Sequence, residues 1–86
     1  MDIEMSDFAI PDEYEAIFRR MFKRYEGPVH RGLVSQQVPG WDSLSHADLI
    51  MEIEDEMNVV IEPSLAFDFV NLGALVDYVE AQRGAG

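Results

Sequence analysis

The sequence predicts an all-α domain, a small antiparallel bundle of three long helices and one short one. Three observations predict it. Apolar residues recur at helical spacing in three separate stretches, Pro, Gly, Asp and Asn stand where such helices would start and stop, and no segment of useful length alternates with a period of two. With 86 residues the chain can bury one modest core, so residues 1–86 are read as a single domain without internal repeats.

The first helix is expected over about residues 12–25. Tyr14, Ile17, Phe18, Met21, Phe22 and Tyr25 form one stripe, Pro11 and Asp12 suit its start, and Glu13 and Glu15 lie near the positive end of its dipole. Arg19, Arg20, Lys23 and Arg24 lie near the negative end, and Glu15 with Arg19 makes an i,i+4 pair. Gly27-Pro28 then breaks the helix, and a long loop over 26–41 is expected to pack on the bundle through Leu33, Val34 and Val38.

A second helix, 43–57, opens at Asp42 or Ser43 with Asp42 as N-cap. Winding it at about 100° per residue puts His46, Leu49, Ile50, Ile53 and Met57 on the core face, and Ser45, Glu52 and Glu56 in solvent. A third zone is a narrow apolar strip, Leu44, Ala47 and Met51, framed by Asp48, Glu54 and Asp55, the pattern of a docking strip. Pro63 is placed to start a short helix over 64–68. Asn71 caps a last helix, 71–82, striped by Leu72, Leu75, Val76 and Val79, before Arg83 to Gly86 fray.

Charge narrows the function classes. Asp and Glu number 17 against 6 Lys and Arg, a formal charge of -11, and from Gly32 to Gln82 there is no Lys or Arg. Such a body repels phosphate backbones and anionic lipid surfaces and attracts basic patches, which argues against nucleic acid as a partner. The absence of cysteine removes disulfides, thiolate metal sites and a cysteine nucleophile. No apolar run is long enough to span a bilayer, and the acidic start Met1-Asp2-Ile3-Glu4 lacks the basic flank of a signal peptide, so a cytoplasmic protein without membrane insertion is expected.

Little in the sequence speaks for catalysis. His30 and His46 are not at metal-ligand spacing, and there is neither a calcium loop nor a glycine-rich phosphate loop. Surface carboxylates on a helix lack the burial that separates the pKa values of an acid/base pair. His46 is expected at the rim of the core in a packing role. What remains is Gly40-Trp41-Asp42-Ser43-Leu44, a serine where a loop becomes a helix. A serine in a first helical turn is commonplace, and a nucleophile elbow would need flanking glycines and a preceding strand. A helix N-terminus does, however, favour an attached anion, so a phosphodiester on Ser43 would be electrostatically favoured.

The stretch Gly40-Trp41-Asp42-Ser43-Leu44-Ser45-His46-Ala47-Asp48-Leu49, continuing through the acidic helix to Met57, resembles the acyl carrier protein family, which includes the related peptidyl carrier domains. The likeness continues more loosely through Ile61-Glu62-Pro63 to Leu75-Val76-Asp77-Tyr78-Val79. It implies an acyl carrier protein-like fold and a non-enzymatic phosphoprotein. Ser43, between Asp42 and Leu44, would be esterified by a 4′-phosphopantetheine arm taken from coenzyme A by a phosphopantetheinyl transferase. It further implies that Leu44, Ala47, Asp48, Met51, Glu54 and Asp55 meet basic patches on acyl-loading and acyl-using enzymes. Pro39-Gly40-Trp41 and the apolar Leu65-Ala66-Phe67-Asp68-Phe69 look more like a stand-alone carrier dedicated to one lipid or secondary-metabolite pathway. Phe67 either packs inward or forms an exposed patch. Met21, Met51, Met57 and Phe69 are candidates to shelter an acyl chain. A monomer is expected. A peptidyl or aminoacyl carrier is the alternative of the same chemistry, and an unmodified acidic helical adaptor is the alternative of another class.

Overall fold

The computed structural model describes residues 9–85 as three α-helices joined by long connections, with no strand among the described residues. Helix α1 is Asp12–Met21, α2 is Ser43–Met57 and α3 is Leu72–Ala85, and two single 3₁₀ turns, Ser35–Gln37 and Pro63–Leu65, lie in the connections.

Helix α1 carries Asp12, Glu13 and Glu15 in its first turn and Arg19 and Arg20 in its last, the order that its dipole favours. It ends at Met21, earlier than the stripe through Tyr25 predicts. Phe22 leaves helical geometry, with φ -116° and ψ 69°, although its N–H still reaches Phe18 O at 2.9 Å. Local partners compete with another helical turn. The Tyr25 hydroxyl donates to Pro28 O at 2.7 Å, Arg19 donates to Tyr25 O at 3.3 Å, and the Tyr25 ring meets the edge of Phe18 with centroids 6.2 Å apart.

Helix α2 has the expected bounds and core face, with Leu49, Ile50, Ile53 and Met57 buried and His46 half-buried. It closes at Asn58 in the left-handed region, φ 57°, a conformation that asparagine tolerates better than most residues. Glu52 and Glu56 are not simply solvated, since both accept from Arg20, at 2.9 and 3.4 Å, tying α2 to α1.

The expected short helix over 64–68 is only the 3₁₀ turn Pro63–Leu65. Ala66 is buried and its carbonyl accepts from His46 Nε2 at 2.7 Å, which ties this segment to the head of α2. Helix α3 starts as its cap predicts, with Ala74 N–H donating to Asn71 Oδ1 at 2.9 Å. It runs on to Ala85 where fraying was expected, and Arg83 pairs with Glu80 at 2.9 Å; Gly86 lies outside the described residues.

The loop before α2 packs as expected through Leu33 and Val38, with Val34 half-buried, and adds Val29 and Trp41 to the core. It also completes α3. Leu72 N–H donates to Leu33 O at 2.9 Å and Gly73 N–H to Arg31 O at 2.8 Å, so with the Asn71 cap all of the first three N–H groups of α3 are satisfied. Position 73 demands glycine, because a Cβ there would lie 2.7 Å from Arg31 Cβ and 2.9 Å from Arg31 O. Arg31 then forms a two-pronged pair with Asp77 at 3.0 and 2.6 Å. Tyr14, Ile17, Phe18, Leu49, Ile53 and Leu75 make the centre of the core, and the Tyr14 hydroxyl donates to Glu80 at 2.6 Å, joining α1 to α3.

Candidate functional site

Ser43 is the first residue of α2 and is exposed. The turn that delivers it is tightly fixed. Asp42 accepts the Ser45 N–H at 3.0 Å while Ser45 Oγ accepts the Asp42 N–H at 2.9 Å, a reciprocal capping box. The Ser45 hydroxyl proton goes to Gly40 O at 2.5 Å, and Gly40 sits at φ 86°, where an L side chain would be strained. Ser45, expected in solvent, is therefore part of the site's scaffold. Asp-x-x-Ser is a capping-box spacing that sequence reasoning could have used. The backbone N–H of Ser45 holds the Asp42 carboxyl below the usual carboxylate range. Asp42 is thus an ionised cap and unsuited to act as a base.

Trp41 anchors the other side of the turn. It is 9% exposed, and its ring packs against Phe18 and Phe22 with centroids at 5.2 and 5.7 Å. Its indole N–H donates to His46 Nδ1 at 2.9 Å. Indole is a donor only, so His46 Nδ1 is the acceptor and Nε2 carries the proton given to Ala66 O. The packing role expected for His46 is observed, with an addition: it fastens the loop, the first turn of α2 and the 63–70 segment to one another.

A groove of about 450 Å³ opens beside Ser43, with Ser35, Gln36, His46, Phe67, Phe69 and Val70 among the residues that line it. Phe67 is 59% exposed, which answers the question of its packing: it forms surface, with its ring 5.0 Å from that of His46. The four residues considered for sheltering an acyl chain do not share one cavity. Phe69 lines this groove, Met21 and Met51 line a shallow one between α1 and α2, and Met57 is in the core.

Along α2, Leu44 is 81% and Met51 61% exposed, Ala47 is half-buried, and Asp48 and Asp55 are exposed. Glu54 differs from its neighbours in the strip, because its Oε2 accepts the Ile61 N–H at 2.7 Å and so holds the chain after α2. Among the described residues no group of three His, Cys, Asp or Glu is placed to hold a metal ion, and no helix is long and apolar enough to cross a membrane.

Residues 40–79, which hold the Asp42-Ser43-Leu44 turn, α2 and the buried stripe of α3, match the family model described as a phosphopantetheine attachment site. No curated protein and no solved structure matches the chain. The match at 40–79 is consistent with an acyl carrier protein family member, and the domains of the matched family carry a covalently attached 4′-phosphopantetheine.

Proposed function

We propose that residues 1–86 act as a single, monomeric, cytoplasmic acyl carrier domain, an antiparallel helical bundle whose 4′-phosphopantetheine is esterified to Ser43. The observation that carries this reading is the Ser43 hydroxyl itself, exposed on the first residue of α2, inside the matched stretch and on the edge of a groove. The surrounding residues fit such a group. Asp42, Ser45 and Gly40 hold the turn still, so the hydroxyl is presented without further ordering. The N-terminal end of the α2 dipole favours a phosphodiester's negative charge. When bound, the group supplies a thiol on which an acyl group is held as a thioester.

The protein's own part is presentation. Leu44 and Met51 offer exposed apolar contact, Ala47 lies between them, and Asp48, Asp55 and the outer oxygen of Glu54 offer charge to a basic patch on a transferase or an acyl-handling enzyme. A strip this small suits rapid release. The strongly acidic α2 favours acyl over aminoacyl cargo, and the exposed Phe67 suits a carrier dedicated to one lipid or secondary-metabolite pathway.

Intact-protein mass after incubation with coenzyme A and a broad-specificity phosphopantetheinyl transferase tests the assignment. The wild-type chain gains one phosphopantetheinyl group and Ser43→Ala gains none. A folded wild-type chain that stays unmodified overturns the proposal and leaves an acidic adaptor. The mass of the species carried in the native cell separates acyl from aminoacyl cargo.

A further inference from the structure

We infer that His46 is a positioning residue for the modification of Ser43: with its ring neutral it latches Trp41 to the first turn of α2, and a second proton on the ring opens the latch. This rests on the attachment of the arm at Ser43. The His46 ring has a task at each nitrogen. Nδ1 accepts the Trp41 indole N–H at 2.9 Å and Nε2 donates to Ala66 O at 2.7 Å, with the Trp41 and His46 rings stacked at 5.9 Å and an interplanar angle of 21°. The Ala66 carbonyl thus fixes the tautomer and aims Nδ1 at Trp41. Only the neutral imidazole serves both partners, because the imidazolium is a donor at each nitrogen. A proton on Nδ1 faces the indole N–H with a second donor, and that N–H, on a buried residue, is left without its acceptor.

Ser43 lies inside two closures of the chain. The inner one is the capping box of Asp42 and Ser45, and the outer one is the bond from Trp41 to His46. The outer closure alone ties the turn to the core, since Trp41 packs on Phe18 and Phe22. Once it opens, the turn must be ordered again before its hydroxyl can react, and that cost falls on the transfer step. No charged side chain bonds to the ring. Asp42, the charged residue that lines the groove with His46, is exposed and has Oδ1 on the Ser45 N–H. Asp48 on α2, Glu62 and Asp68 on the 63–70 segment, and Lys23 and Arg24 after Phe22 are exposed, and α3 meets the groove through uncharged Asn71, Leu72 and Leu75. Both partners of the ring are neutral, so the proton itself sets the latch.

The test measures transfer from coenzyme A to Ser43 between about pH 8 and about pH 5.5, within the interval in which histidine changes charge. One broad-specificity transferase acts on the wild type, His46→Gln, His46→Asn and Trp41→Phe, each verified as folded by circular dichroism. Ratios to the wild type at each pH remove the transferase's own titration. Glutamine keeps an N–H for Ala66 O but no acceptor at the Nδ1 position, whereas asparagine places its carbonyl there for the Trp41 N–H. At the alkaline end His46→Gln and Trp41→Phe have kcat about 2- to 10-fold below the wild type, the factor one neutral hydrogen bond corresponds to, and His46→Asn recovers most of that loss. Towards the acid end the wild type falls to the level of His46→Gln while His46→Asn does not. Trp41 is the sole tryptophan, so its one indole N–H resonance reads the latch apart from the reaction. It loses its hydrogen-bonded shift with falling pH in the wild type and stays in place in His46→Asn. A wild-type to His46→Gln ratio that is flat with pH, a change confined to KM as charge steering would give, or an indole resonance that does not titrate overturns the positioning role and leaves the Ser43 assignment standing. A folded wild type that stays unmodified at every pH overturns both.

Discussion

Tyr14 is the residue at which burial and charge meet most directly. Its hydroxyl is desolvated and donates to the Glu80 carboxylate, and both effects push its pKa well above the usual tyrosine value. The same hydrogen bond, aided by Arg83, holds Glu80 below the usual carboxylate range. A carboxyl whose folded pKa is depressed stabilises the fold above its unfolded pKa, and that contribution is lost as pH falls through the folded value. Tyr14→Phe should therefore cost about 1 kcal/mol at neutral pH, given a half-exposed acceptor. The wild type and the variant should converge in urea midpoint as pH drops below about 4. At the alkaline end the raised hydroxyl favours the fold only while the unfolded tyrosine keeps its proton, so wild-type stability should fall above about pH 10. Ser45→Ala tests the turn below Ser43. Losing the reciprocal cap should cost about 1 kcal/mol in thermal or urea unfolding, with slower modification of Ser43 if the fixed turn matters to the transferase. Ser43 and its cap were legible in the sequence because the information is local: Asp, Ser and Leu in order at the head of an apolar-striped helix.

Elements were legible in proportion to how local their boundaries are. Helix α2 is set by a cap at Asp42 and a stripe through Met57, both within its own residues, and its bounds agree with the expectation. The end of α1 is set just beyond its last turn, by the Tyr25 hydroxyl on Pro28 O and Arg19 on Tyr25 O, whereas the 64–68 segment is held by a partner far along the chain. Ala66 O is taken by a histidine 20 residues earlier, and periodicity within 64–68 carries no trace of it. From sequence Glu54 is an acid framing the docking strip, and its second task is hidden for the same reason, since its partner is the backbone of Ile61. The exposed strip of α2 gives a prediction at this scale. Leu44→Ala with Met51→Ala should leave unfolding within about 0.5 kcal/mol of the wild type. The same double variant should lower kcat/KM for the transferase about 5- to 30-fold if the pair supplies the 1–2 kcal/mol of an interface anchor. The join between loop and α3 behaves oppositely. Gly73→Ala forces a Cβ against Arg31 and should cost about 1–3 kcal/mol, measured by thermal unfolding, although it is far from any strip.

Over the whole molecule, charge is the dominant property. Of the basic residues, Arg20 is engaged with Glu52 and Glu56, Arg31 with Asp77 and Arg83 with Glu80, so much of the positive charge is spent internally and the field seen by a partner is anionic. Raising ionic strength from about 0.05 to 0.5 M should slow transferase modification of Ser43 by roughly tenfold or more through loss of steering, with kcat nearly constant and KM carrying the change. The sequence made this legible from its composition alone. It could not show that residues 26–41 and the start of α3 are one unit, because that unit is built from main-chain atoms. The amides of Leu72 and Gly73 donate to carbonyls of that loop, whereas amides in the first turn of a helix ordinarily face water. In deuterium labelling those two positions should resist isotope uptake, and their release would mark the moment at which the segment leading to Ser43 lets go of its neighbour.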